Sequence, residues 1–421
     1  MKKRRYRATN VKQANWERIA ELAVGQHLVF GVDVAKDDFF GVLMKTDRSV
    51  IETIKWVHPQ QTRALGTDLL ALQAQDLQIV MEPSGTYGDA LHGYLTGLGF
   101  AVYRVSPKRV HDAAELYDGV PSLHDAKSAY LIGRVHLDGA SSRWEALSSA
   151  RRDHHALSAE LEVYQAQQQA NLNRLEAHLN RHWPEGVRIL NVNTVSLQTL
   201  IGEYGDPGQV AAHRQAAEGL LRRTGRGLLS AEKIQQALAS CETSLGLPCT
   251  AGERHLLRTL SQELLRTHKV LKAIEQRIER VVDDDPVLTR MARVVGKTSS
   301  LVLQSTQGSP LDYPNPYSYL KGLGLNLTER SSGKHAGQLK ITKRGPGKAR
   351  KYLYFAALRW NHQDPVIAAW YQKKIKRDGG LKSKAVTALM RKLALSLWHV
   401  ARGERFDSRK LFNAHALGIT T

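Results

Sequence analysis

Cysteine is nearly absent: Cys241 and Cys249 are the only two in 421 residues. Two cysteines make no disulfide framework in a chain of this length, and no Cys/His set has the spacing of zinc ligands, so a reducing cytoplasm is expected. Long apolar runs are also missing. No stretch of eighteen apolar residues occurs, which excludes a membrane-spanning helix, and MKKRRYRATN leads into VKQANWERIAELAVG instead of an apolar signal core. Aromatic residues are few, at 7%, yet with 42% hydrophobic residues the chain can build cores and is not disordered. Negative charge is scarcest toward the end. From Lys321 to Lys410 there are 22 Lys and Arg against five acids, so 17 of the 20 net positive charges lie there. Charge of that density points to a polyanion partner, most commonly nucleic acid.

The length predicts two or three domains. Apolar, β-branched strands are expected at 27–34, 39–45 and 50–57, then at 77–82 and 101–106. Helical spacing falls at 62–75, in TYGDALHGYLTGLG, in PKRVHDAAELYDG and at 125–136. Three strands followed by alternating helix and strand predict an α/β domain with a mixed sheet. Beyond about residue 147, Leu157, Leu161, Leu172, Leu175 and Leu179 recur at near-heptad spacing, as do Leu257, Leu260, Leu264, Leu271, Ile274 and Ile278. These are long helices, paired either as an antiparallel hairpin or across a subunit seam. The Gly- and Pro-containing segment between them, about 183–250, reads as an inserted helical subdomain.

Three acids sit where a sheet can bring them together. Asp33 lies in the first strand, where a charge is costly unless paired or on a metal; Glu82 ends the fourth; Asp125 opens a helix. Three converging carboxylates are the hard oxygen donors that Mg²⁺ or Mn²⁺ requires, and paired ions of this kind serve phosphodiester cleavage. Taken singly, each has a structural explanation: a satisfied strand-end acid, a turn residue and a helix N-cap. DDDP at Asp283–Asp285 reads as a solvated turn, and Gly296 as a helix cap instead of a phosphate contact.

The segments GVDVAKDDF, VMEPSGTYGDAL, LHDAKSAYLIGR and GLNLTERSSGKHAGQLKITKRG occur in that order. Together they resemble the insertion-sequence 110 family of DEDD transposases and the related Piv-type invertases, over about 27–140 and 285–402. The resemblance implies a RuvC-like domain of ribonuclease-H fold, a coiled coil and a basic C-terminal domain bearing a serine nucleophile. It implies bacterial recombination of donor and target DNA at the nucleoid, guided by a noncoding bridge RNA within a dimer-to-tetramer homo-oligomer. Carried over by position, the metal-binding acids are Asp33, Glu82 and Asp125, and the nucleophile is Ser332, ahead of its neighbour Ser331. The family's fourth acid falls on Ser128, a weaker ligand, for which Asp112 or Asp118 could substitute.

Around the serine, Lys334, Lys340, Lys343, Arg344, Lys348, Arg350 and Lys351 would neutralise phosphates, and Tyr352, Tyr354 and Trp360 would either stack on bases or pack a helix. KKIKRDGGLKSK reads as a basic loop. The expected division is a basic arm with a short helix at 1–25, the metal domain at 26–145, long helices at 146–282 and the transposase domain at 283–421. Two other functions fit the same residues. One is a metal-dependent junction endonuclease without a covalent intermediate; the other is a nucleic-acid-binding relative that lost catalysis at Ser128.

Overall fold

Side chains alternate between the two faces of a strand, and the buried strand HLVFGVD distributes its residues accordingly. The computed structural model describes residues 7–83, 85–329, 337 and 339–412. The chain divides into two units, Met1–Ser148 and Ser149–Thr421. In the first unit, β1 (Thr9–Asn10), β2 (His27–Asp33), β3 (Asp38–Lys45), β4 (Val50–Val57), β5 (Asp76–Met81), β6 (Ala101–Arg104) and β7 (Ser142–Arg143) form one sheet. Its order is β1-β4-β3-β2-β5-β6-β7. β2 is antiparallel to β3, and β3 to β4, whereas β2, β5 and β6 run parallel.

Phe30, Val32, Ile54, Trp56, Ile79 and Met81 face one side of the sheet. They pack under α1 (Trp16–Ala23), α2 (Thr62–Ala71) and α3 (Asp89–Gly97). Val29, Val42, Met44 and Val80 face the other side, under α4 (Pro107–Asp112) and α5 (Asp125–Leu137). Cover on both faces explains why β2 and β5 read as near-continuous apolar runs. Two differences from the sequence reading follow from burial. Val11, Ile19 and Ala23 join the core, so the short helix expected within residues 1–25 is present as α1 but is packed on the sheet together with β1 and is not part of a free arm. The helix expected over PKRVHDAAELYDG stops at Asp112, and turns follow to Gly119.

In the second unit, α6 (Ser149–His182) and α12 (Ala251–Asp284) pair within the chain. Leu157 and Leu161 meet Leu271, Ile274, Ile278 and Val282, while Leu175 and Leu179 meet Leu257, Leu260 and Leu264. The reversed order makes the pair antiparallel, so these leucines pack an intramolecular hairpin. The insertion forms α7 (Gly186–Ile189), α8 (Val195–Tyr204), α9 (Pro207–Ala212), α10 (Arg214–Gly225) and α11 (Ala231–Glu242), around the buried Trp183. α13 (Pro286–Val295), α14 (Lys297–Gln307), α15 (Pro316–Gly322), α16 (Gly347–Gln363), α17 (Pro365–Arg377), α18 (Lys382–Ala401) and α19 (Ser408–Leu411) complete it. Leu353, Leu389, Leu393 and Leu397 lie at the centre of these last helices.

The DDDP segment is structural. Asp285 caps α13 by accepting from the Val287 and Leu288 amides, and Asp283 pairs with Lys297 at 3.0 Å. Gly296, at φ +83°, ends α13 and begins α14. KKIKR continues α17 to Arg377 instead of forming a loop, and Lys374 is held by Asp378.

Candidate active site and nucleic-acid interface

The last register pair of β2 with β5 is Val32 opposite Met81, so Asp33 and Glu82 follow it at the same ends of adjacent parallel strands. Alternation assigns both to the face of Val80 and Gly31, the one covered by α5. Asp125 is the first residue of α5. α5 lies unusually close to β2, because a Cβ on Gly31 would stand 2.6 Å from the Gly133 amide nitrogen and against the Ala129 carbonyl. His124 caps the helix by accepting from the Lys127 amide at 3.3 Å, which fixes where Asp125 begins. Three acids distant in sequence therefore reach one end of the sheet.

Their proximity has an electrostatic consequence. Asp33 is pushed up from 3.8 to about 7, first by burial, then by the negative charges of Asp125 and Glu82, against a smaller lowering by the Val34 amide. Carboxylates crowded in this way take up a proton or a cation near neutral pH. The donor set suits a hard divalent ion, although among the described residues no three His, Cys, Asp or Glu side chains are spaced to share one. Asp125 and Glu82 thus act on Asp33 without the ligand spacing expected from the sequence.

Ser128 sits one turn after Asp125 on α5 and is half-buried. Neither acid considered as its substitute is among the charges acting on Asp33. Asp112 pairs with Lys108 at 2.9 Å on the surface of α4. Asp118 binds the buried Lys127 ammonium at 2.9 Å, and the Val120 carbonyl accepts from the same ammonium at 2.6 Å. Sequence reasoning missed Lys127. Its one signal was a lysine on the apolar face of a helix, where burial requires a partner.

Ser331, Ser332 and Lys334 lie outside the described residues. The chain on either side of them pairs, in β8 (Leu327–Thr328) and β9 (Lys340–Ile341), with Leu327 opposite Ile341 and Thr328 opposite Lys340. Lys340, Lys343, Arg344 and Lys351 are exposed. Lys348 and Arg350 differ from the expected phosphate-facing set because their donors are used within the fold. Lys348 donates to the Ser158 carbonyl at 2.9 Å and pairs with Glu162 at 3.1 Å. Arg350 donates to the carbonyls of Leu323 and Gly345. Of the aromatic residues, Tyr352 is buried against Gln165 and Trp360 donates to the Val294 carbonyl, so both pack the helix. Tyr354 stays exposed beside Phe355, an exposed aromatic the sequence reading did not single out.

Cys241 and Cys249 are free thiols, pushed up by burial to about 12 and about 11, so both stay protonated at neutral pH. Among the described residues no helix is long and apolar enough to cross a membrane.

An α/β unit carrying clustered acids and a strongly basic helical unit are the parts of an enzyme that acts on DNA, and family comparison gives the class as transposase. A DEDD transposase model of the IS110 type matches residues 30–184, and a model described as transposase of the IS116/IS110/IS902 family matches residues 287–372. The chain belongs to the IS110 family of transposases, whose function is DNA transposition for an insertion sequence. None of the curated proteins matches it.

Proposed function

We propose that this transposase cuts and rejoins DNA through a covalent phosphoserine at Ser332, with Asp33, Glu82 and Asp125 as the acids that would hold Mg²⁺ or Mn²⁺. The observation carrying this reading is the raised Asp33, crowded by Asp125 and Glu82 at one end of the sheet. The sheet supports a RuvC-like, ribonuclease-H fold: a three-stranded antiparallel meander with β5 and β6 added in parallel, and a helix laid over the acidic end. A bound divalent ion would supply electrostatic stabilisation to the phosphate as charge builds on it. The chain's own residues do the remainder. The Ser332 oxygen bonds to phosphorus as the bond from phosphorus to the 3′-oxygen breaks. The serine proton passes to a carboxylate of the cluster, and the departing 3′-oxygen takes a proton from water and leaves as a 3′-hydroxyl. The phosphoserine is close in energy to the diester it replaces, so attack by a new 3′-hydroxyl restores the strand and releases Ser332 without a nucleotide cofactor.

In this reading Lys334, Lys340, Lys343, Arg344 and Lys351 hold phosphates near the break. Donor and target DNA are chosen by a noncoding bridge RNA, and the working form is a homo-oligomer, from dimer to tetramer. The family resemblance supports these last two points.

The test is adduct trapping under denaturing conditions on DNA from the element's ends, with its flanking transcript present. A denaturant-resistant adduct should need Mg²⁺ and disappear in Ser332→Ala. Cleavage with no adduct would replace the phosphoserine by hydrolysis, and binding with neither would leave a non-catalytic relative.

A further inference from the structure

Asp33 is one residue in a row that crosses the sheet. It pairs with Phe40 on β3, Phe40 pairs with Lys55 on β4, and Lys55 pairs with Asn10 on β1. Directly paired residues on neighbouring strands project to the same face, so an aromatic ring and an ammonium lie beside the acids on the side covered by α5. A cleft of about 310 Å³ opens there, lined by Ala8, Phe40, Lys55, His124, Asp125 and Ala126. That is near the lower end of the ~300–1,000 Å³ typical of small-ligand sites, which suits a single nucleotide unit. Lys55 is exposed and has no ion pair among the described residues. Phe40 is only partly covered by the core beneath it. The cleft thus combines a cation for a phosphate, an aromatic ring for a base or sugar, and the acid that begins α5.

We propose that Lys55 and Phe40 form a subsite for the DNA nucleotide adjoining the scissile phosphate, Lys55 binding the neighbouring phosphate and Phe40 the base or sugar. This rests on the acids being the cleavage site. Both are positioning residues: they fix the strand's register so that one particular phosphate meets Asp33, Glu82 and Asp125. The row is set by strand register, which explains why residues 33, 40 and 55 act together although nothing in their spacing marks them.

The test uses the full chain and element-end duplexes carrying a single methylphosphonate, moved one position at a time through the cleavage region. Lys55→Gln should bind all-phosphate DNA about tenfold more weakly, with a shallower salt dependence, as expected for one lost phosphate contact. In the wild type one methylphosphonate position should weaken binding to the same degree, and in Lys55→Gln that position should have no further effect. Lys55→Arg should restore the pattern. Phe40→Leu, which keeps the apolar volume, should raise the half-saturating DNA concentration more than it lowers the maximal rate. Identical methylphosphonate profiles in wild type and Lys55→Gln would overturn the subsite. Failure of the wild type to cleave or form an adduct would instead count against the proposed function, and the binding profile would still decide the subsite.

Discussion

Gly31 on β2 lies under Gly133 on α5 so closely that a methyl group added to Gly31 would stand 2.6 Å from the Gly133 amide nitrogen. Gly133 is confined in turn, since a Cβ there would meet the Met44 side chain at 2.7 Å. This pair of glycines sets the height of α5 above the sheet, and with it the approach of Asp125 and Ser128 to Asp33.

Gly31→Ala should therefore damage the site more than the fold. Overpacking against backbone that cannot move costs ~1–3 kcal/mol, readable by urea denaturation. Cleavage should fall much further than that loss of stability implies, because α5 must lift and carry Asp125 away. Full activity in a stably folded Gly31→Ala protein would contradict this account.

Asp33 carries a pH signature whose sign follows from its raised value of about 7, against 3.8 unperturbed. Below about pH 4 it is protonated in both folded and unfolded states and has no effect. As pH rises toward 7 the unfolded chain releases the proton while the folded one keeps it, so stability falls; above 7 the penalty is complete. In the absence of divalent ions, Asp33→Asn should melt higher than wild type at pH 8, and by much less at pH 4. Mg²⁺ should raise the wild-type melting temperature at pH 8, less at pH 5, and not at all in Asp33→Asn. An equal difference between the two proteins at both pH values would rule out the crowding of these acids.

Lys127 and Asp118 form a nearly buried pair, with side chains 2% and 13% exposed. Removing one partner of such a pair costs ~3–5 kcal/mol because the other charge stays buried. Lys127→Met should lose stability on that scale and expose residues 113–124 to limited proteolysis. The double variant Lys127→Met/Asp118→Leu should recover much of the loss. Unchanged proteolysis of the single variant would show that the pair does not anchor this loop.

Ser128→Asp places a carboxylate on the half-buried position one turn after Asp125. In the absence of metal it should lower the melting temperature by adding charge to a crowded site. With Mg²⁺ it should tighten ion binding and speed cleavage. Lower activity at saturating Mg²⁺ would indicate that the serine is suited to its position.

Much of the fold was legible in the sequence because burial leaves a period in it. The strand at 27–33 and the helix beginning at Asp125 follow apolar spacing to within a residue or so. β1 and β7 were missed because two-residue edge strands have no period to read. Asp33 and Glu82 could be named because charge at the end of an apolar strand is anomalous, whereas Asp125, at the start of a helix, was named by its place in the ordered motifs. Lys348 and Arg350 were misjudged because a basic run has the same composition whether its ammonium groups face solvent or, as Lys348 does, the Ser158 carbonyl and Glu162.

By itself the sequence determined the chain's classes of chemistry: hard oxygen donors near its beginning, an excess of positive charge near its end, and two leucine-patterned helices. These follow from residue type and local periodicity, which do not depend on distant partners. Only the tertiary structure decided which face of the sheet received Asp33, that the leucine helices pair with each other, and that Lys55 and Phe40 share a row with Asp33. Strand register and helix approach decide these, because they depend on close packing between segments far apart in the chain.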